Sequence, residues 1–242
     1  MSLRGLAGLL RHEPDLARVI GLPDATLAVN GPAQPFVIAG LLGLSERRPL
    51  VVVTATFADA ERLAGDLSCF LTPNEPDPAT AGGLSERVVV LPPWETLPFE
   101  RVSPEVATMG TRLSVLWHLF AEGATRPDVV VAPVRAILQR LGPWRDAAAP
   151  VTLVEGQRID AEKLVAQLVG QGYRREHQVE HRGELAVRGG IVDIFPSTAD
   201  APVRVDLFGD EIDRLTTFDV SDQRSIAPLG CAVVFEIGRA HV

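Results

Sequence analysis

From Pro49 to Thr56 the chain reads Pro-Leu-Val-Val-Val-Thr-Ala-Thr, a continuous apolar, β-branched run that predicts a strand buried on both faces. The pattern then changes period. Phe57, Ala60, Leu63, Ala64, Leu67 and Phe70 recur at helical spacing as far as Leu71, behind Thr56 and Asp59, which read as a capped start. The polar, proline-rich tract Thr72 to Ser85 predicts a loop. Further apolar runs predict a second strand at Arg87 to Leu91 and a third at Asp128 to Ala132. Between them, Ser103-Pro104-Glu105 reads as the cap of a helix with an apolar stripe through Val106, Met109, Leu113, Leu116 and Phe120. A short helix through Ala136, Ile137 and Leu138 follows. Strands alternating with helices predict a parallel sheet with covering helices. Before all of this, Leu3, Leu6, Leu9 and Leu10 line one face of a short amphipathic helix, and Leu16, Val19 and Ile20 form a second apolar patch.

The pattern shifts again past Gly142-Pro143, and Arg145 to Pro150 reads as a hinge. Val151 to Val154 predicts a strand. Asp160 is placed to cap a helix over Ala161 to Gln171 with Leu164, Val165, Leu168 and Val169 inward, and Gly172 to end it in the left-handed conformation. Two strand pairs follow, with reversals at Arg182-Gly183, Arg188-Gly189-Gly190 and Gly209-Asp210. Alternation is clean from Val203 to Leu207 and slips between Ile212 and Phe218, which predicts a bulge. The expected organisation is a parallel-sheet domain over residues 1–142, a small α+β domain over 143–222, and a segment 223–235 returning towards the first. Glu236 to Val242 breaks the pattern, reads like a translated sequencing adapter, and is set aside as a non-native tail.

Composition narrows the function. The formal net charge of −8 over 242 residues argues against a general binder of the phosphate backbone, which needs a positive face. Cys69 and Cys231 lie far apart with no C-x-x-C pair, which suggests neither a disulfide framework nor a zinc site and fits a reducing cytoplasm. No apolar run approaches roughly 18 residues and the start lacks a long apolar core, so no membrane span or signal peptide is expected. His177 and His181, if on a strand, share a face but lie too far apart for one ion, so no metal site is expected.

Two stretches carry candidate chemistry. Gly31-Pro32-Ala33-Gln34-Pro35-Phe36-Val37-Ile38 stands where a nucleotide-binding α/β domain carries its phosphate loop, G-x-x-x-x-G-K-[ST]. Phe36, Val37 and Ile38 occupy its last three places, so the close approach, the cation and the magnesium ligand are all lost. Pro32 and Pro35 remove two N–H donors. No ATP, no other cofactor and no catalytic residue is expected here; Gly31 alone is an ordinary turn residue. The second stretch is Gly172 to Asp219, where Arg174, Arg175, Arg182, Arg188 and Arg204 sit beside turns. Singly, each reads as a solvated charge answering Glu176, Glu180, Glu184 or Asp193. As a cluster they suit bidentate capture of a partner's carboxylates.

These residues also carry a resemblance. Arg182-Gly183-x-x-x-Val187-Arg188-Gly189-x-x-Val192-Asp193-Ile194-Phe195-Pro196, followed by Arg204-Val205-Asp206-Leu207-Phe208-x-x-Glu211-Ile212-x-x-Leu215-x-x-Phe218-Asp219, resembles the UvrB-type interaction domain. Leu91-Pro92-Pro93-Trp94-Glu95-Thr96-Leu97-Pro98-Phe99-Glu100, with Ser103-Pro104 and Thr111-Arg112-Leu113, is similar to the N-terminal UvrB-like module of the bacterial transcription-repair coupling factors. The resemblance runs from about Pro49 to about Ile226. It implies a degenerate P-loop-type α/β domain followed by a small α+β UvrB-interaction domain. It also implies docking of the repair protein UvrA, in transcription-coupled nucleotide excision repair, through Arg174, Arg188 and Phe195, with Arg175 and Arg182 beside them. UvrB has an arginine where this chain has Ala186. Its tyrosine-rich, strand-separating hairpin also has no counterpart among these residues, because Tyr173 is the one tyrosine and Phe99 leads within a few residues to Ser103. ATP-driven translocation, contact with RNA polymerase and contact with DNA would belong to motor domains outside this chain. The competing readings are a P-loop ATPase or helicase fragment, which needs the missing G-K-[ST], and a UvrB-like binder of damaged DNA.

Overall fold

The computed structural model describes residues 3–71, 87–96, 102–140 and 149–237, grouped in two compact units. The expected 72–85 loop, Leu97, Phe99 and most of the expected hinge lie outside the described residues.

The first unit is built on three parallel strands, β1 (Leu50–Thr54), β2 (Val88–Val90) and β3 (Val129–Pro133), in the order β1-β3-β2. Valine-rich runs form them, and Val52 pairs with Val131 as Val90 does. Two helices cover one face. These are α3 (Gln34–Leu44) and α4 (Phe57–Leu71), after short helices α1 (Arg4–Ala7) and α2 (Pro14–Val19). Ala60 and Ala64 let α4 lie close to the valines, with Leu67, Leu71, Ala39 and Leu42 completing the core. The cap on α4 is reciprocal: Asp59 N–H donates to Thr56 Oγ1 at 3.1 Å and the Thr56 hydroxyl donates to Asp59 Oδ2 at 2.7 Å. Asp128, just before β3, accepts from Arg48 at 3.0 Å and from Arg87, tying the approaches to all three strands. The expectation that β1 is buried on both faces is corrected. It is an edge strand, and Val51 and Val53 each remain 53% exposed, whereas central β3 is buried throughout. The short helix after β3 forms as α6 (Val134–Leu138), with Ala136 inward and Ile137 and Leu138 exposed.

The second unit contains a six-stranded sheet in the order β10-β9-β8-β7-β6-β5. Its strands are β5 (Arg174–Arg175), β6 (Glu184–Arg188), β7 (Ile191–Ile194), β8 (Val203–Phe208), β9 (Glu211–Phe218) and β10 (Ser225–Pro228). All neighbours are antiparallel except β5 and β6, so Arg182-Gly183 does not close a hairpin. Gly189 and Gly209 do, at φ +60° and +66°, values that favour glycine. The bulge falls inside the expected interval. Asp206 pairs with Arg214 and Leu207 with Ile212, which leaves Asp213 as the extra residue.

One face of this sheet is apolar. Leu185, Val192, Ile194, Val203, Val205, Ile212 and Leu215 pack with Leu164 and Leu168 of α7 (Ala161–Gly170) and with Met109 of α5 (Val106–Phe120). Asp160 Oδ1 accepts from the N–H groups of Glu162 and Lys163, and Gly172 ends α7 at φ +100°. Val169 is exposed rather than inward. Helix α5 groups with this unit, and the residue at its start is Glu105, without a side-chain capping bond, so Ser103 is not the cap. Its buried face is broader than the expected stripe: Arg112 is buried with its guanidinium 4.5 Å from the Trp94 ring centre, and Phe120 is exposed. Burial pulls the Arg112 pKa down to about 10, against the opposing pull of Glu95.

Strands β4 (Val151–Val154) and β11 (Cys231–Val234) form a separate antiparallel pair. Residues 223–235, expected to return towards the first domain, therefore complete the second unit as β10 and β11. Ile237 belongs to its core despite being set aside with the tail, because its side chain packs in the apolar cluster and its N–H donates to Gln171 O at 3.0 Å. Residues 238–242 lie outside the described set.

Candidate partner-docking surface

Side chains of paired strand residues share a face, and the register sets Ala186, Asp193, Arg204 and Thr216 in one row across β6, β7, β8 and β9. Two residues along each strand, Glu184, Arg188 and Asp206 join them on the face opposite the apolar core. This face has two parts. Val179, Ala186, Phe195 and Phe218, with Val220, form a small apolar cluster. Gln223 closes it, its Nε2 donating to Val179 O at 3.2 Å and Val220 O at 2.9 Å. The rest is a lattice of guanidinium and carboxylate groups.

Two buried carboxylates organise that lattice. Asp193, 1% exposed, accepts from Arg204 Nε at 2.7 Å through Oδ1, and from Arg204 Nη2 at 2.9 Å and Arg188 Nη2 through Oδ2. All three Arg204 guanidinium nitrogens are engaged: its Nη1 donates to Gln223 O at 2.9 Å, and its guanidinium lies 4.6 Å from the Phe218 ring centre. The hydrogen bonds to Asp193 raise its pKa above the ordinary arginine value. Glu184 is the second carboxylate. Its Oε2 accepts from the N–H groups of Glu180 at 2.9 Å and His181 at 2.8 Å, and its Oε1 accepts from Arg174 Nη2 at 3.2 Å. Burial acts to raise the Glu184 pKa, but the two N–H donors and the nearby His181 and Arg174 outweigh it and hold the group below the usual range.

The five residues expected to touch a partner separate into different environments. The Arg174 and Arg188 side chains are 65% and 44% exposed, each giving one nitrogen to a buried carboxylate. Arg182 spans to the 199–200 turn, donating to Ala199 O at 2.8 Å and Asp200 at 2.9 Å, with its guanidinium 5.6 Å from the Phe195 ring centre. Phe195 is only 8% exposed, a cluster residue beneath Arg182 rather than an open contact. Arg175 pairs with Leu185, so it points to the opposite face from Arg174 and, among the described residues, makes no ion pair. His177 and His181 lie on the loop between β5 and β6, not on a strand, and His181 Nδ1 is 3.5 Å from Glu184. The organising role of Asp193 was missed in the sequence; its signal is a lone carboxylate between Val192 and Ile194 in a strand whose neighbour carries Arg204.

In the first unit, Gly31 opens a single 3-10 turn (Gly31–Ala33), and Phe36, Val37 and Ile38 lie in the first turns of α3. The Phe36 ring packs 5.9 Å from that of Phe70, and Ile38 packs on the core. Among the described residues no group of three or more His, Cys, Asp or Glu could hold a metal ion, and no helix is long and apolar enough to cross a membrane.

Residues 151–236 match the family model of the UvrB interaction domain. Transcription-repair-coupling factors of Mycobacterium bovis and Mycobacterium tuberculosis are each 40% identical over 232 residues, covering 93% of this chain and 18% of the relative. That of Myxococcus xanthus is 37% identical over 240 residues, covering 94% of this chain and 19% of the relative. The chain thus spans less than a fifth of these relatives. Residues 151–236 are thus similar to UvrB interaction domains, and along most of its length the chain is similar to the transcription-repair-coupling factors.

Proposed function

We propose that this chain is a non-catalytic docking module that recruits UvrA in transcription-coupled nucleotide excision repair. The observation that carries the reading is the arginine-bearing face of the six-stranded sheet. There Arg174 and Arg188 stand exposed with donors to spare, each steadied by a buried carboxylate. Phe195 supports the surface from below through Arg182. In the whole protein this module would serve an ATP-dependent DNA translocase that displaces stalled RNA polymerase, with ATP, magnesium, DNA and polymerase held by other domains of the same protein. The first unit would be a degenerate P-loop-type domain that holds no nucleotide. Side chains at Phe36, Val37 and Ile38 support this, since a phosphate needs open backbone N–H groups and a nearby cation at a helix start.

Titration of UvrA against the chain tests the reading. Arg188→Ala and Arg174→Ala are each expected to weaken binding about tenfold, the loss of one charge-assisted contact. Unchanged affinity in both would refute it. Incubation with ATP and magnesium is expected to give no turnover above a protein-free control.

A further inference from the structure

On the docking reading above, two arginines make the contact; the structure also shows what holds them. Arginine side chains have about 2 kcal/mol of rotamer freedom to lose, so a fork fixed before encounter binds more tightly than a mobile one. Arg188 is fixed by a single nitrogen, Nη2, on Asp193, while Arg204 takes both Asp193 oxygens and is itself closed off by Gln223 and Phe218. The carboxylate is therefore anchored from the neighbouring strand and offers its remaining capacity to a guanidinium at the surface. One carboxylate and two guanidinium cations meet there, with the Asp206 carboxylate near enough to act on Arg204, and Arg188 is the exposed cation of the group. Glu184 repeats the device. Two backbone N–H groups fix Oε2, and Oε1 holds Arg174 through Nη2 alone.

We propose that Asp193 and Glu184 are positioning residues for this surface, orienting Arg188 and Arg174 so that their free edges face a partner's carboxylates, and that Arg204 is an anchor that never touches the partner. This inference rests on the docking reading but assigns roles to three residues that reading does not use. It divides the four arginines of the face by function. Arg174 and Arg188 grip, Arg204 anchors the buried acid, and Arg182 braces the 199–200 turn over Phe195.

The test is a double-mutant cycle on affinity for UvrA, using the full chain with thermal unfolding run in parallel. Asp193→Asn keeps the shape and removes the charge, and is expected to weaken binding about fivefold in the native background. In an Arg188→Ala background the same change is expected to cost nothing further, because the residue it positions is gone. A merely structural role would give equal losses in both backgrounds and would overturn the proposal. Glu184→Gln with Arg174→Ala is the second cycle, and it stands alone if Asp193→Asn fails to fold. Arg204→Lys is expected to lower the melting temperature while leaving the affinity of the folded fraction within twofold. If Arg188→Ala and Arg174→Ala weaken binding but neither acid couples to its arginine, positioning fails while docking stands. If neither arginine variant weakens binding, the docking reading itself falls.

Discussion

Gly110 lies in the middle of α5, and replacing it with alanine tests how closely that helix is held against the loop after Pro196. A glycine-to-alanine change inside an open helix stabilises by about 1 kcal/mol. At Gly110 a Cβ would stand 2.2 Å from Ser197 Oγ and 2.4 Å from Ser197 Cβ. The hydroxyl can rotate away, but Ser197 Cβ is one bond from the backbone. Restoring an ordinary carbon separation of about 3.5 Å requires the helix or the loop to move by about 1 Å. Overpacking of that kind costs about 1–3 kcal/mol. The movement also strains the hydrogen bond from Ser197 N–H to the buried Tyr173 hydroxyl, 3.2 Å long, which contributes about 1 kcal/mol. The helix gain offsets part of this, leaving a net destabilisation of about 1–3 kcal/mol, or a melting temperature lower by about 2–4 °C per kcal/mol. Gly170, at the end of α7 in the same unit, is the control, because a Cβ there meets nothing within 4 Å. Scanning calorimetry should show Gly110→Ala melting below the native chain, Gly170→Ala at or above it, and Gly110→Ala with Ser197→Gly recovering much of the loss. If Gly110→Ala melts as high as Gly170→Ala, the contact is not as close as described and the reasoning fails.

Asp160→Ala removes both capping bonds of α7 and is expected to cost about 1 kcal/mol in denaturant unfolding, with the native slope retained. Tyr173 donates to Phe235 O at 2.9 Å, and burial pushes its pKa up to about 12. As it is the one tyrosine, near-ultraviolet absorbance should show no tyrosinate forming at the usual value of 10.0, and a normal titration in denaturant would confirm the assignment. His118 is buried against Trp117 and Phe235, and burial lowers its pKa from 6.5. The unfolded chain therefore takes up a proton that the native state refuses, so stability present above pH 6.5 declines as pH falls through that value towards the native one. His118→Leu should flatten that slope in urea titrations. Glu184 acts lower on the scale. Its native pKa lies below the ordinary 4.5, so its contribution is complete above that value and disappears as pH falls through the native one. Comparison of acid unfolding for the native chain and Glu184→Gln measures it.

Local chemistry was legible in the sequence; partners distant along the chain were not. Asp160, Gly172, Gly189 and Gly209 announce their roles because each solves a backbone problem within a few residues of itself. The bulge at Asp213 showed as a break in alternation for the same reason. By contrast, Val51 and Val53 read as buried because a β-branched run looks the same whether one or both faces of its strand are covered; β2, the other edge of the sheet, keeps Val88 and Val89 buried. The pairing of β4 with β11 spans some eighty residues and left no mark on either strand. At the candidate surface, the arginines were visible as a cluster, but their division was not. It depends on which carboxylate is buried, and Asp193 and Glu184 differ from Glu176 and Glu180 in lying on strands of the sheet rather than on the loop between β5 and β6. Phe195 illustrates the same limit, since Ile-Phe-Pro fits a core and a contact equally until its cluster with Ala186 and Phe218 is known.

The ladder between β4 and β11 has a mechanical consequence. Val151 pairs with Val234, so two residues far apart along the chain lie side by side at one end of an antiparallel pair. Tension applied between those two points would not shear the rungs together. It would peel them in turn, from the Val151–Val234 rung towards Cys231. Opening of this kind breaks one rung at a time, so the β4–β11 pair would separate while the six-stranded sheet kept its register.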